Sequence, residues 1–284
     1  MKIIQSFALY DNGSPYDENS DVHLNYYSFL LSYLTLNRYY EHVIMICNQK
    51  AHDTFIKYIP YEETKIVKSS YGFELWGTYK VDAMKAVRGG CIHVDPDVFI
   101  FGDVFGEFIK KKEYDVIIQN YNPPSGWVVD LVVDYIKKNA KFLADNDIIT
   151  MDEYDNRYAF GGVSGHRAAA KKLYLETVAK LEGGIKRGEI AIENPMILEE
   201  VSIHLTALKH KLKVYEILPF DLVKKHGQER VGSMKNYTHM VGKSKFVLEY
   251  VELIKRKIIK EFPEYKKQIQ QYEEEMFGEV KIMK

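Results

Sequence analysis

Residues 91–101 have the sequence Cys-Ile-His-Val-Asp-Pro-Asp-Val-Phe-Ile-Phe, in which two carboxylates stand between two apolar runs. The first run is typical of a buried strand, and the second of a strand or edge segment that leaves it. Side chains of an extended chain alternate between faces, so Asp95 and Asp97 would share one face. Two neighbouring carboxylates repel unless a cation lies between them. The pattern therefore predicts a divalent metal site at a strand end, where open α/β sheets bind ligands.

The same Asp95-Pro96-Asp97 sequence is also common in ordinary turns. Proline fixes its own backbone, and aspartate side chains accept hydrogen bonds from nearby backbone groups. A turn without a metal therefore remains an alternative at this point, and the choice depends on ligands elsewhere in the chain.

Strands alternate with helices along most of the chain. We expect strands at 2–10, 42–47, 64–67, 115–120, 158–165 and 214–218, and helices at 23–40, 50–58, 73–88, 127–142, 166–181 and 194–209. Gly89-Gly90 and Gly183-Gly184 are expected helix ends, and 221–236 is an expected polar loop. The order predicts an α/β fold of Rossmann-like type, with a mostly parallel sheet and helices on both faces.

The chain has none of the common glycine-rich phosphate loops. No G-x-G-x-x-G follows the first expected strand, and no Walker loop occurs. If a nucleotide binds, its diphosphate must be neutralised in another way. A metal at Asp95 and Asp97 is the obvious candidate.

Composition limits the classes of function. The chain has 284 residues, 46% of them hydrophobic, and a formal net charge of −1. It is long enough for one large domain with an appendage. With a net charge near zero, it has no overall positive electrostatic potential that would attract nucleic acid. Cys47 and Cys91 each lie in an apolar run, which indicates buried thiols rather than a disulfide framework. We expect a cytoplasmic protein without a signal peptide or transmembrane segment.

The composition changes after residue 245. Two charged, amphipathic helices are expected, with Pro263 between them. We therefore divide the chain into a domain at 1–245 and a C-terminal helical extension at 246–284. The extension is interpreted as a solvated appendage that packs on the domain. A dimer contact, or peripheral attachment at the inner face of the membrane, is the alternative.

A second motif lies at residues 239–245, with the sequence His-Met-Val-Gly-Lys-Ser-Lys. Histidine can complete a mixed oxygen and nitrogen metal site. Glycine lets the backbone approach a phosphate, and lysine can neutralise one. The H-x-x-G-x-x-K pattern therefore suits a diphosphate bound next to a metal.

Together the two motifs resemble those of the GT-A glycosyltransferases, most closely glycosyltransferase family 8. The resemblance covers roughly residues 1–245, and only the two short motifs are specific. It implies that Asp95, Asp97 and His239 hold Mn²⁺ (or Mg²⁺). It further implies that Gly242 and Lys245 contact the donor diphosphate.

The resemblance also implies roles for residues outside the two motifs. The implied donor-binding residues are Phe7, Ala8, Tyr10, Lys80, Asp82, Gly161 and Gly162. Glu199 and Glu200 lie where such enzymes present an acidic or amide group to the sugar, and they are the candidate catalytic residues. Either could equally be an ordinary carboxylate on a helix surface.

The expected function is metal-dependent transfer of a sugar from a nucleotide-sugar, a UDP-sugar by resemblance, to a glycan or other hydroxyl acceptor with retention. One alternative is a phosphohydrolase of the haloacid-dehalogenase type, with Asp95 as nucleophile. That motif normally follows the first strand, whereas three expected strands precede Asp95. The other alternative is a non-catalytic nucleotide-sugar-binding protein, which the intact pair of motifs disfavours.

Overall fold

The computed structural model describes residues 1–10, 22–72, 77–121, 127–190, 197–240 and 247–278. Within them the strands are β1 Lys2–Phe7, β2 Val43–Cys47, β3 Glu63–Ile66, β4 Cys91–Val94, β5 Val98–Ile100, β6 Val116–Tyr121, β7 Ala159–His166, β8 Val214–Glu216 and β9 Tyr237–His239. The first six helices are α1 Asn25–Asn37, α2 Gln49–Thr54, α3 Tyr79–Lys85, α4 Gly106–Lys110, α5 Trp127–Lys138 and α6 Ala140–Asp145. The others are α7 Ala168–Lys186, α8 Ser202–Lys209, α9 Phe220–His226, α10 Gln228–Met234, α11 Leu248–Glu261 and α12 Lys266–Phe277.

Seven strands form the central sheet, in the order β3-β2-β1-β4-β7-β6-β8. β1 is parallel to β2 and β4, β2 is parallel to β3, and β6 is parallel to β8. Only β7 runs antiparallel to its neighbours in this sheet, which are β4 and β6. The predicted α/β fold with a mostly parallel sheet is therefore confirmed.

Successive residues of the buried strands face two different layers of helices. Ile3 belongs to a core cluster that includes Leu30 of α1. Ile4 belongs to a second cluster, with Val81 of α3 and Tyr174 of α7. Because helices cover both faces, the central strands can be continuous apolar runs rather than alternating ones.

A small second sheet joins two distant parts of the chain. β5 pairs with β9 in antiparallel register, so that Val98 lies opposite His239 and Ile100 opposite Tyr237. The apolar run after Asp97 is thus a strand, as expected, but its partner strand β9 was not predicted. The pairing brings His239, the first residue of the second motif, beside the segment that follows Asp97.

The C-terminal helices α11 and α12 form as predicted and pack against α1. Ile258 of α11 and Tyr272 of α12 are fully buried in the same cluster as α1. The Tyr272 ring stacks on Tyr26 with 3.8 Å between ring centroids, and Tyr27 Oη donates to Glu273 Oε1 at 2.7 Å. In the described parts of the chain no helix combines the length and apolar character needed to cross a bilayer.

Two local predictions were wrong. Residues 221–236 form most of helices α9 and α10 rather than a polar loop, because Val223 and Val231 are buried in the main core. Gly183-Gly184 does not end α7, which continues to Lys186. A Cβ on Gly184 would lie 2.4 Å from Phe142 Cζ, so this glycine serves close packing inside the helix.

Candidate functional site

Asp95 and Asp97 lie in a tight turn between β4 and β5. The Val98 N–H donates to the Asp95 carbonyl at 3.0 Å, which closes the turn. The two carboxylates therefore converge from a turn, the alternative that the sequence left open, and not from an extended segment. Two further backbone bonds hold the turn: Asp95 N–H donates to the Gly162 carbonyl at 2.8 Å, and Met240 N–H donates to the Asp97 carbonyl at 2.9 Å. The sequence motif is thus both a turn and a place where two carboxylates converge.

His239 joins the two carboxylates through the β5–β9 pairing. Its Nε2 lies 3.5 Å from Asp97 Oδ1. One ligand atom from each of Asp95, Asp97 and His239 lies within 4.8 Å of the other two. These are the three metal ligands implied by the sequence, and the fold brings them together.

The three side chains are poorly exposed to water. The Asp97 and His239 side chains are each 8% exposed, and that of Asp95 is 16% exposed. Two carboxylates in such surroundings require positive charge nearby, because burial penalises the charged form. The donor set of two carboxylates and one imidazole suits a divalent ion.

Lys80 of α3 supplies one positive charge. Its Nζ lies 2.9 Å from Asp95 Oδ1, 3.0 Å from Asp95 Oδ2 and 2.8 Å from Glu199 Oε1. Burial alone would lower the pKa of Lys80, but Asp95 and Glu199 outweigh burial and raise that pKa well above its ordinary value. Lys80 therefore stays charged and links the Asp95 turn to Glu199.

Glu199 and Glu200 lie on a π-helical turn at Ile197–Val201, immediately before α8. Such turns often occur at functional sites. Glu200 Oε1 accepts a hydrogen bond from the Gly161 N–H at 2.9 Å. Burial raises the pKa of Glu199 to about 7, against the opposing charge of Lys80. Burial and then the charge of Glu199 raise the pKa of Glu200 to about 8, so Glu200 is mostly protonated at neutral pH.

Gly161 and Gly162 make room for protein side chains. A Cβ on Gly161 would lie 2.6 Å from Glu200 Oε1. Gly162 has φ +102°, and a Cβ there would lie 2.3 Å from Gln119 Oε1 and 2.7 Å from His239 Nδ1. The two glycines thus bring β7 close to His239 and Glu200. Close approach to a donor sugar, their predicted role, stays a prediction.

The residues at the end of β1 lie beside a groove. Tyr10 lines a groove of about 400 Å³ together with Asn48, Ser69 and Tyr71, at the carboxyl ends of β1, β2 and β3. Asn48 fixes this edge, because its side chain both donates to and accepts from the backbone of Leu9. Two other predicted donor contacts, Phe7 and Ala8, pack inside the fold. Ala8 is buried, and Phe7 packs against Phe29 with 4.9 Å between centroids.

Asp82 has a different environment from Lys80, although both lie on α3. Its two carboxylate oxygens accept hydrogen bonds from the Ser70 N–H at 2.8 Å and the Ser70 hydroxyl at 2.7 Å. Asp82 thereby holds the segment that forms one wall of the groove. Gly242 and Lys245, the implied diphosphate contacts, lie outside the described residues.

Two neighbours of the candidate metal ligands were not predicted from the sequence. Gln119 of β6 is fully buried, and its Oε1 lies 3.0 Å from His239 Nδ1. His93 of β4 bonds Ser6 at 2.8 Å and lies 3.6 Å from Asp95 Oδ1. Burial lowers the pKa of His93 to about 3, so its ring is neutral. The sequence signal was a polar residue within or directly after an apolar run of a strand, in β4 for His93 and in β6 for Gln119.

Comparison with known proteins gives one family and a set of distant structural likenesses. No curated protein matches the chain. The structure is similar to a 4-diphosphocytidyl-2C-methyl-D-erythritol synthase from Anaerococcus prevotii DSM 20548, with 14% identity over 89% of this chain and 98% of that one, at a TM-score of 0.43. It is also similar to mouse xyloside xylosyltransferase 1, with 9% identity over 84% and 96% of the two chains, at a TM-score of 0.42. Neither likeness is close enough to bear on function. The model of a family described as "Family of unknown function (DUF6734)" matches residues 1–272, and the chain belongs to that family.

Proposed function

We propose that this protein is a metal-dependent glycosyltransferase of the GT-A type, which moves a sugar from a nucleotide-sugar, specifically a UDP-sugar, to a glycan or other hydroxyl acceptor. The observation that carries the proposal is the convergence of Asp95, Asp97 and His239 from two distant motifs, within 4.8 Å of one another. A metal-free turn at Asp95-Pro96-Asp97 and an unrelated surface histidine would have no reason to lie so close together.

The residues fit a divalent cation, and Mn²⁺ is the proposed one. Asp95 and Asp97 offer oxygen donors and His239 a nitrogen donor. Mg²⁺ prefers shells made entirely of oxygen, whereas imidazole suits transition metals such as manganese. When bound, the ion would supply Lewis-acid stabilisation of the charge that develops on the leaving diphosphate.

The groove beside Tyr10 is the proposed site of the nucleoside. It lies at the carboxyl ends of β1 to β3, the edge where open α/β sheets bind ligands. Asp95 follows β4, the strand next to β1. Tyr10 and Tyr71 supply aromatic surfaces suited to a base. A diphosphate would then run from this groove toward Asp95 and Asp97.

Lys80, Glu199 and Glu200 are the proposed sugar-facing groups. The Glu199 carboxylate, held by Lys80 at 2.8 Å, would stabilise the positive charge of an oxocarbenium-like sugar ring. Glu200, with its raised pKa, would donate a hydrogen bond to a sugar hydroxyl at neutral pH. Transfer with retention needs no strong general base, and retention is part of the proposal.

A donor screen tests the proposal. UDP-, GDP- and CDP-sugars are incubated with the protein and Mn²⁺, Mg²⁺ or EDTA, and both thermal stabilisation and release of free nucleotide are measured. We expect a UDP-sugar with Mn²⁺ to stabilise the protein most and to be hydrolysed slowly without an acceptor. Stabilisation without hydrolysis or transfer would indicate a binding protein. Release of phosphate from simple phosphoesters would indicate a phosphohydrolase.

Transfer stereochemistry is tested on the productive donor. The anomeric proton of the product, observed by NMR, should show the configuration of the donor. An inverted product would contradict retention and would require a carboxylate base.

A further inference from the structure

Gln119 lies where β6 and β7 lose their regular pairing. Ile118 pairs with Ser164 and Asn120 with Phe160, so residues 161–163 of β7 stand opposite Gln119 alone. Irregularities of this kind redirect side chains and are frequent next to active sites. Here the irregularity includes Gly162, whose missing Cβ leaves space for Gln119 and His239. Gln119 is fully buried, so each of its polar atoms needs a hydrogen-bond partner.

A chain of hydrogen bonds fixes which end of the Gln119 amide faces His239. Asn120 Nδ2 donates to the Tyr121 carbonyl at 2.8 Å, and a carbonyl can only accept. Asn120 Oδ1 must therefore point the other way, where it accepts from Gln119 Nε2 at 3.1 Å. Because the amide nitrogen is used there, the oxygen of Gln119 faces His239.

The orientation of Gln119 decides which nitrogen of the His239 ring carries the proton. Gln119 Oε1 lies 2.7 Å from Tyr237 Oη and 3.0 Å from His239 Nδ1. An amide oxygen has no proton to give, so His239 Nδ1 must be the donor. In the neutral ring Nε2 is then unprotonated, and it is Nε2 that lies 3.5 Å from Asp97 Oδ1. Histidines that bind metals are commonly fixed in this way by an acceptor on their second nitrogen.

We propose that Gln119 is a positioning residue that fixes the tautomer and direction of the His239 ring, so that Nε2 faces the metal. The role rests on the proposed metal-dependent function. The chain of hydrogen bonds that sets this orientation begins at the backbone carbonyl of Tyr121 and continues through Asn120 and Gln119 to His239. Gln119 would act only through His239 and would not itself be a ligand.

The first test is the tautomer of His239 in the metal-free protein. Long-range proton–nitrogen NMR spectra distinguish the two neutral tautomers of histidine, and loss of a signal in His239→Ala identifies the residue. We expect the Nδ1–H tautomer in the wild type. In Gln119→Met, which keeps the length of the side chain but lacks the amide oxygen, the Nε2–H tautomer should become populated.

The second test is Mn²⁺ affinity, measured by electron paramagnetic resonance of the free ion. Gln119→Met should bind Mn²⁺ about 10–100-fold more weakly than the wild type, the usual cost of removing an outer partner of a ligand. Gln119→Glu keeps an acceptor oxygen for His239 Nδ1 and, when its buried carboxyl group is protonated, a donor for Asn120 Oδ1, so it should recover most of the affinity. Tyr237→Phe is the structural control, because it removes the other hydrogen bond to the same oxygen and should retain the Nδ1–H tautomer.

The outcomes separate this inference from the proposed function. An Nε2–H tautomer in the wild type overturns the role of Gln119 even if no variant folds. A Gln119→Met protein with the wild-type tautomer of His239 and the wild-type Mn²⁺ affinity would also overturn the role of Gln119. Absence of Mn²⁺ binding by the wild type overturns the proposed function itself, and the role of Gln119 with it.

Discussion

Asp97 is one of two carboxylates held in the same turn, and its side chain is only 8% exposed. Asp97→Ala should abolish the proposed Mn²⁺-dependent UDP binding, because it removes one of the two candidate carboxylate ligands. It should not lower the melting temperature of the metal-free protein, since the two like charges repel when no cation is bound. Thermal scans with and without Mn²⁺ and UDP check both expectations.

The control for this variant is Asp145→Ala, which removes an exposed carboxylate. It should bind Mn²⁺ and UDP as the wild type does. Unchanged Mn²⁺-dependent UDP affinity in Asp97→Ala would rule out its assignment as a ligand.

His239 is the nitrogen donor among the three candidate metal ligands. His239→Ala should weaken UDP binding supported by Mn²⁺ more than UDP binding supported by Mg²⁺, because magnesium gains less from a nitrogen ligand. Titration calorimetry with each metal measures the two losses. His210→Ala, at an exposed histidine, is the matched control. Equal affinities of His239→Ala and wild type in both metals would contradict a role for this motif.

Glu200 should make stability depend on pH. Burial raises its folded pKa to about 8 from an ordinary value of 4.5. Between these values the folded protein holds a proton that the unfolded chain has released. Glu200 therefore makes the free energy of unfolding fall as pH rises through this window, by at most about 1.4 kcal/mol per pH unit.

Glu200→Gln should remove this contribution. Urea unfolding at several pH values between 5 and 8 measures the slope, which should be flatter in Glu200→Gln than in the wild type. Glu249→Gln, at an exposed carboxylate of α11, should leave the slope unchanged. Identical slopes in wild type and Glu200→Gln would contradict the raised pKa.

Residues of the site differ in how far the sequence could predict them. Asp95, Asp97 and His239 stand in short motifs whose chemistry is visible locally, so they could be named in advance. The ion pairs of Lys80 and the orientation of Gln119 depend on which strands and helices become neighbours, and no local pattern contains that information. Gln119 was visible only as a polar residue directly after the apolar run of β6.

At the scale of secondary-structure elements, Gly162 in the irregular part of β7 lets His239 of β9 lie close to β7. Gly162→Ala would combine a positive φ with a Cβ 2.3 Å from Gln119 Oε1 and 2.7 Å from His239 Nδ1. We expect a loss of stability of about 1–3 kcal/mol, together with a large loss of Mn²⁺ affinity as His239 is displaced.

Gly188→Ala is a matched control, because Gly188 also has a positive φ, +70°, but no atom within 4 Å of the added Cβ. It should lose stability through backbone strain alone and keep its Mn²⁺ affinity. Urea unfolding and Mn²⁺ titration distinguish the two variants. Equal Mn²⁺ affinities in Gly162→Ala and Gly188→Ala would contradict the role of Gly162.

Long, strongly apolar or strongly periodic elements were predictable, because local preference and burial agree in them. Strands β1, β2 and β6 and helices α11 and α12 belong to this group. Elements that depend on a distant partner were not predictable. β9 has three residues and exists because it pairs with β5, and α9 and α10 are polar segments held by the burial of Val223 and Val231.

At the scale of the whole molecule, the C-terminal helices raise the question of whether 1–245 is a separate folding unit. Val251, Ile254, Ile258, Ile269 and Tyr272 are buried in the same cluster as α1 and β1. Burial of a large apolar side chain contributes about 1.5–3 kcal/mol, and whole domains are stable by only about 5–15 kcal/mol. The five side chains together are therefore comparable with the total stability.

We expect a protein that ends at residue 245 to lose cooperative unfolding and to expose the surface of α1 that α11 and α12 cover. Circular dichroism during urea unfolding and the binding of a hydrophobic dye measure the two effects. The control is the full-length Leu248→Ser and Leu253→Ser double variant, since these residues are 65% and 58% exposed and should contribute little. If the shortened protein unfolds cooperatively with the midpoint of the full chain, α11 and α12 are an appendage, as the sequence alone indicates. If it does not, the helices are part of the fold that holds the Asp95 turn, because α1 also packs against β5, the strand that follows that turn.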